Sequence, residues 1–511
     1  MRTVTAKDPD VVVIGSGPNG LVAACVLARL GFSTLVLEAH PRRPGGAVGS
    51  EELTLPGFIH DVGAGFFPFG TTSPAFRDLA LERLGIEWLH ARFESCHPAL
   101  DGSYACIARD LELAEQNFGD PKDGLTFRRL AEWHAAVEGD LLDALLLPFP
   151  ALRPLLRLGI FGAFRLLRMF TSSGRSLASR LFRSEAARRV LPSLAMHVDI
   201  GPDDTFGAGL GYMLGLTATT GGYAVPRGGA RSITNAMVTL LERHGGRLRL
   251  GARVVRIIVT NGVARAVELA DGEQIAVRHA VLADTGAPSL LLDLVDRSQL
   301  PRRVVRRMSS FPWGWGTFKM DWAISGPVPW RVEAARQSAV VHAGDSLDEL
   351  SEFTHEVRSG KLPSRPYLVV GQHSLVDPSR APGNRHTLYC YSRVPSHPEG
   401  GWDAQRERFA DAVENRIEEL APGFRQKILA RRVSAPPDLQ AMDENLVGGD
   451  LGGGSNQWNR QLLFRPVFPY FRYRMPIRGL YLCSSFAHPG AGVHGMCGYN
   501  AAHVAARDLG A

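Results

Sequence analysis

An α/β fold is predicted, with a parallel sheet flanked by helices and an inserted mixed α+β domain. Three observations carry it. The apolar run Val11-Val12-Val13-Ile14 passes directly into Gly15-Ser16-Gly17-Pro18-Asn19-Gly20. After a helix-length interval, a second apolar run, Thr34-Leu35-Val36-Leu37, ends on the acid Glu38. Strand and helix patterns then recur at 222–300 and again at 440–511. This is the order of a dinucleotide-binding unit. Gly15 permits the tight turn, Gly17 lets backbone approach a pyrophosphate, and Gly20 allows helix to pack on strand. The helix expected from about Leu21 to Leu30 offers free N–H groups and a partial positive charge to phosphate. Glu38 is placed to accept ribose hydroxyls and to repel a 2′-phosphate, which disfavours an NADP-type ligand. With 55 glycines in 511 residues, a Gly-rich turn that binds nothing is the competing reading. The strands, helix and acid falling in register favour the nucleotide.

The remaining elements follow in order. Pro41-Arg42-Arg43-Pro44-Gly45-Gly46-Ala47 reads as a loop whose paired glycines lie against phosphate or ribose, and Gly57 to Gly65 as a strand and turn. Residues 66–224 read as mostly helical. A helix from Ser232 to His244 leads into the run Leu248 to Ile257, and Asn261-Gly262 and Asp271-Gly272 mark hairpin turns. The run Ala280 to Asp284 resumes the sheet, and 300–440 reads as a second sheet with helices facing substrate. The resulting division is a discontinuous cofactor domain over 1–95, 222–300 and 440–511. A substrate domain over 96–221 and 301–439 is inserted into it.

Composition narrows the function class. The chain is 45% hydrophobic and 21% charged with a net charge of +6, an ordinary globular balance. Its arginines lie in an apolar region without interleaved stacking aromatics, so nucleic acid is not expected as a partner. Six cysteines are scattered without CxxC pairs, which predicts reduced thiols in a cytoplasmic protein and no metal centre. Neither a signal peptide nor an apolar run long enough to span a bilayer is expected. Gly207-Ala208-Gly209-Leu210-Gly211 lacks a preceding strand and a following acid. It reads as close helix packing or a tunnel wall, not as a second nucleotide site.

Near the C-terminus, Gly479 to Ser485 reads as a buried strand. His488-Pro489-Gly490-Ala491-Gly492-Val493-His494-Gly495-Met496-Cys497-Gly498 then leads into a final helix. Together with the N-terminal motif, this resembles the phytoene-desaturase-like family of FAD-dependent oxidoreductases. Within it, the chain looks most like the branch labelled pyridine nucleotide-disulfide oxidoreductase domain-containing proteins. The resemblance is sharpest at 11–65, 222–257, 280–288 and 446–508, and Leu463-Phe464-Arg465-Pro466 also fits. It implies a Rossmann-like FAD-binding domain of the glutathione-reductase or amine-oxidase type, with FAD as cofactor. Gly15, Gly17 and Gly20 match the phosphate turn, Glu38 the ribose acid, and Gly45 and Gly46 the paired glycines. Val254 or Val255 matches the backbone that meets adenine, and Gly492, Val493 and Gly495 the segment beside the isoalloxazine. Pro18, Asn19, Ala39, Ala47, Asp284, Ser485, His494 and Met496 complete the expected cofactor contacts. Two features depart from the family pattern: His494 stands where an apolar residue or proline is common, and Gly448 to Gly454 replaces a His-containing segment.

The final helix is expected to aim its N-terminus at the flavin pyrimidine, where N–H groups from about Val493 to Met496 stabilise developing negative charge. His494 and His488 are the candidate acid–base residues, with hydrogen-bonded structural histidines as the competing reading. Asp61 is expected to cap a turn. From Ala144 to Ser184 there is no acidic residue, while seven arginines stand among leucines and phenylalanines. Such a basic amphipathic helix suits an anionic membrane surface; packing on the substrate domain or a homo-oligomer interface are its alternatives. The expected activity is FAD-dependent dehydrogenation of a hydrophobic, isoprenoid or other lipid substrate. A flavin-dependent isomerase, ketolase or amine oxidase, or a non-catalytic binding protein, is the alternative.

Overall fold

The computed structural model describes residues 8–510. Its parallel sheet has the order Leu480–Leu482, Ala280–Ala283, Val11–Ile14, Thr34–Leu37, Arg247–Arg249. Val11, Val12 and Val13 are fully buried, as a central parallel strand covered on both faces must be. The first helix starts at Pro18 and ends at Arg29, slightly before the expected span, because proline suits the first helical turn. It lies against the last helix, Met496–Asp508. A Cβ on Gly498 would sit 1.8 Å from the Asn19 carbonyl oxygen, so this contact admits only glycine. The two ends of the chain are thereby joined side by side.

The run from Leu248 to Ile257 is divided between two sheets. Arg247–Arg249 closes the parallel sheet, while Val254–Thr260 opens an antiparallel hairpin sheet with Val263–Leu269 and Gln274–Ala276. Gly251, at φ +65°, turns the chain between them. The hairpin turns fall at Asn261-Gly262 and around Gly272, as their sequence predicts.

The second domain is built on a seven-stranded mixed sheet, ordered Ile428–Ser434, Gly316–Ile324, His386–Val394, Leu368–Gly371, Ser338–Ala343, Phe93–Pro98, Tyr104–Ile107. The last two strands interrupt the otherwise helical 66–224 region. Phe93–Pro98 pairs in parallel with Ser338–Ala343, a partner far along the chain that local pattern does not reveal. Helices Pro121–Leu146, Gly159–Phe170 and Gly207–Thr220 line the same cavity as strands of this sheet.

Asp61 joins the two domains, which corrects its expected role as a turn cap. It is the last residue of the strand Ile59–Asp61, and its carboxylate accepts from Arg380 Nη1 at 2.6 Å, Ser50 Oγ at 2.7 Å and the Ala230 N–H at 2.8 Å. Burial alone would raise its pKa; the Arg380 charge, with His373 and the hydrogen bonds, holds it below the ordinary value.

Candidate active site

The glycine turn closes against a carboxyl on the neighbouring strand end. Gly15 has φ +88°, and a Cβ on Gly20 would lie 2.4 Å from the Gly15 carbonyl oxygen. The Gly20 N–H donates to Asp284 Oδ2 at 2.8 Å. Burial pushes the Asp284 carboxyl up to about 7; Gly20 opposes the rise, and Asp443 and Glu38 add to it. At neutral pH the first helix therefore faces a carboxyl that is only partly charged, which suits an anion at its N-terminus.

Glu38 is held in the cavity wall. Its Oε2 accepts from the Ser16 N–H at 2.9 Å and from Ser16 Oγ, and its Oε1 from the His40 N–H at 2.7 Å. Of roughly four acceptor positions on a carboxylate, one is left for a ribose hydroxyl.

One cavity of about 1390 Å³ runs from this turn to the C-terminal segment and on into the second domain. That exceeds the usual ligand pocket of roughly 300–1,000 Å³ and leaves room for a second molecule beside a dinucleotide. Gly15, Gly17, Pro18, Asn19, Glu38 and Ala39 line it, as do Gly46, Ala47, Val254, Val255 and Asp284. Ser485, Gly492, Val493 and His494 line its far side. Four expected contacts lie behind the wall. Gly20 is turned to Asp284, the Gly45 N–H donates to the Ser16 carbonyl, Gly495 precedes the last helix at φ +67°, and Met496 is fully buried. Four buried polar atoms on cavity-lining residues make no hydrogen bond: Asn19 Oδ1, Thr285 Oγ1, Arg393 Nε and His494 Nε2. A side-chain-free turn, a ribose acid and unpaired polar atoms fit a flavin dinucleotide.

The two candidate histidines differ. His494 Nδ1 accepts from the Met496 N–H at 3.0 Å, which puts the neutral ring's proton on the unpartnered Nε2. Burial lowers its pKa to about 4, against a smaller pull from the Ala491 carbonyl. His488 Nε2 donates to the Leu147 carbonyl at 3.1 Å and ties down the 144–150 segment. Its pKa is also lowered to about 4, first by burial. Both are neutral at ordinary pH: His494 presents a free donor, and His488 performs a structural task.

The second-domain part of the cavity wall was not anticipated from sequence. Tyr389, Tyr391 and Arg393 alternate on the strand His386–Val394 and all face the cavity. The Tyr389 hydroxyl donates to the Gly63 carbonyl at 2.9 Å. The Tyr391 hydroxyl meets His197 Nδ1 at 2.8 Å, and His197 Nε2 meets His342 Nε2 at 3.0 Å. Either sense of donation keeps a continuous hydrogen-bonded row from the cavity wall to His342. His197 falls to about 3 through burial and then the Arg393 charge, so the row is neutral. The available signal was a polar side chain at every second position of Tyr389-Cys390-Tyr391-Ser392-Arg393, inside a buried strand.

Beyond these residues the chamber is apolar, lined by Phe149, Leu155, Leu166, Phe170, Phe206 and Met213. Its roof is the 144–184 segment, which forms not one helix but three: Leu152–Arg157, Gly159–Phe170 and Gly174–Leu181. Their outer face leaves Leu156, Ile160 and Phe161 79%, 81% and 87% exposed. Not all seven arginines are free: Arg157 pairs with Asp140 and Asp143, Arg175 with Asp203 and Asp348, and Arg165 stacks on Trp133. Arg153 and Arg168 form no ion pair among the described residues. There too, no helix is long and apolar enough to cross a membrane, and no cluster of metal-ligating side chains occurs. Gly207–Thr220 is a packing helix, with a Cβ on Gly211 meeting the Leu191 carbonyl oxygen at 2.0 Å.

Comparison with known proteins agrees with this geometry. The pyridine nucleotide-disulfide oxidoreductase domain-containing protein 2 of Rattus norvegicus is 30% identical, over 98% of this chain and 94% of its own. The zeta-carotene-forming phytoene desaturase of Myxococcus xanthus is 26% identical, over 94% of this chain and 90% of its own. A crystal structure of an oxidoreductase from Methanosarcina mazei shares the fold, with TM-score 0.66 and 16% identity over 97% of this chain and 99% of that one. The model of the flavin containing amine oxidoreductase family matches residues 19–495, and the chain belongs to that family.

Proposed function

We propose that the protein is an FAD-dependent dehydrogenase that desaturates an apolar, lipid-like substrate taken from a membrane surface. The carrying observation is the single cavity that joins the glycine turn and the His494 segment to an apolar chamber roofed by exposed apolar helices. The relatives named as carotenoid desaturases support the same substrate class.

FAD, when bound, would supply hydride acceptance from a substrate C–H, with a neighbouring hydrogen lost as a proton and the electrons passed on to oxygen or a quinone. The chain supplies position and field. The Gly20 and Leu21 N–H groups are already given to Asp284 and the Gly17 carbonyl, so the positive end of Pro18–Arg29 and Asn19 would face the phosphates, and Glu38 would orient the ribose. The His494 Nε2–H is a preorganised donor beside the start of the last helix, where it favours negative charge. The Tyr391 hydroxyl, oriented at the cavity wall by the His197–His342 row, can relay the released proton to water in the cavity. The apolar chamber excludes water from the reacting carbon.

At the surface, Arg153 and Arg168 would each contribute about 1 kcal/mol on an anionic leaflet, added to burial of Leu156, Ile160 and Phe161. Flotation with phosphatidylglycerol vesicles should recover the protein, phosphatidylcholine vesicles should recover less, and Phe161→Asp should abolish recovery. The reaction is tested by mixing FAD-loaded protein anaerobically with fractionated lipid extract. Substrate-dependent bleaching of the flavin is expected. A product isomerised without bleaching would indicate an isomerase, and peroxide with aldehyde released from an amine would indicate an amine oxidase.

A further inference from the structure

We propose that Arg393 is the docking point for a carboxylate carried at one end of the otherwise apolar substrate. The inference rests on reading the apolar chamber as the substrate site. Arg393 lines that chamber and is 3% exposed. Its Nη1 donates to Thr317 Oγ1 at 2.6 Å and its Nη2 to the His197 carbonyl, while the buried Nε has no partner. Both satisfied donors thus meet neutral oxygens, and the guanidinium packs over the Tyr391 ring at 5.6 Å. Among the described residues no carboxylate forms an ion pair with it.

The neighbouring acids are already committed. Asp450 accepts from the N–H groups of Gly314 at 2.8 Å, Gly452 at 2.7 Å and Gly454 at 2.9 Å. Asp199 is held by Ser455 Oγ at 2.5 Å and the Asn456 N–H at 2.7 Å. The other titratable groups against Arg393, His197 and Tyr391, are both neutral at ordinary pH. A buried cation without a counter-ion costs several kcal/mol, and a ligand carboxylate would relieve that cost with a charge-assisted hydrogen bond. The same charge opposes entry of an ammonium group, which sets this chamber against an amine substrate.

Matched probes test the idea without any turnover. Binding of oleate, oleyl alcohol and methyl oleate to the purified flavoprotein is measured by calorimetry, for the wild type, Arg393→Met and Arg393→Lys. The wild type should prefer oleate over the alcohol and the ester by roughly ten-fold, the scale of a hydrogen bond to a charged group. R393M should lose the preference, and R393K should keep part of it. Equal affinity for acid and alcohol in the wild type, or an undiminished preference in an R393M protein of normal flavin content, would overturn the proposal. If R393M does not fold, the wild-type ratio and the R393K ratio decide. A protein that binds oleate selectively but never bleaches with any lipid would sink the dehydrogenase reading and leave this one standing.

Discussion

The two walls of the cavity are made of different materials. The cofactor wall, with lining residues between Gly15 and Ala47 and from Gly492 to His494, is mostly backbone: turns, helix ends and positions where a Cβ has no room, backed by the packed start of the last helix. The opposite wall is mostly side chain, with Tyr389, Tyr391 and Arg393 from one strand and His197 from a loop far away in sequence. Backbone recognition depends on glycine and on strand-turn-helix order, which suits a cofactor common to the family. Side-chain recognition depends on particular rings and charges, so under the proposed function the specificity of this chain would reside there. The two walls are therefore expected to fail differently when perturbed.

The largest effect is expected at the joint between them. Arg380→Met leaves Asp61, whose side chain is 0% exposed, without its buried cation. Losing one partner of such a pair costs about 3–5 kcal/mol, and urea unfolding should show a loss of that size for the whole molecule. A loss under about 1 kcal/mol would mean that the walls are held together by other contacts.

Acid should act next, through the C-terminal part of the cofactor wall. His494 has a folded pKa of about 4 against an ordinary value of 6.5. Above 6.5 neither folded nor unfolded chain binds the proton, and stability is unaffected. Between 6.5 and 4 the unfolded chain binds it first, so stability falls with pH by about 1.4 kcal/mol per unit, near 3 kcal/mol in all. His494→Gln should flatten melting temperature against pH in that window by this one proton. His488, similarly lowered, keeps its own contribution in the variant.

Gly498→Ala tests the backbone wall alone. The added methyl would meet the Asn19 carbonyl oxygen at 1.8 Å and force the first and last helices apart. Overpacking of this kind costs about 1–3 kcal/mol, and the purified protein should carry little flavin. Normal flavin content would show that the cofactor wall tolerates separation of the chain ends.

The same contrast explains what sequence could reveal. Val11 to Glu38 was legible because each part lies within a few residues of the next, and its glycines have one geometric reason each. The last helix was legible because its glycines repeat that logic. Phe93–Pro98 was hidden because its parallel partner, Ser338–Ala343, lies in a distant segment. Asp61 reads as a turn residue until Arg380 arrives from another domain. The apolar, acid-free roof could be seen, but not its division into three helices, and arginine content did not reveal which charges Asp140, Asp143, Asp203 and Asp348 already occupy.

The smallest predicted effect is the sharpest test of whether the walls are separable. Tyr391→Phe removes one hydroxyl from the side-chain wall and leaves the ring, and hence its packing under Arg393. His197 Nδ1 then loses its only hydrogen-bond partner on the cavity side, at a cost of about 1 kcal/mol. Flavin content and the flavin absorption spectrum should not change, because the partners of Tyr391, namely His197, Tyr389 and Arg393, belong to the side-chain wall. Substrate-driven bleaching should slow, because the row from the cavity to His342 has lost its first member. A spectrum that shifts while bleaching stays fast would reverse the assignment, placing Tyr391 against the cofactor and freeing His197 from any part in proton release.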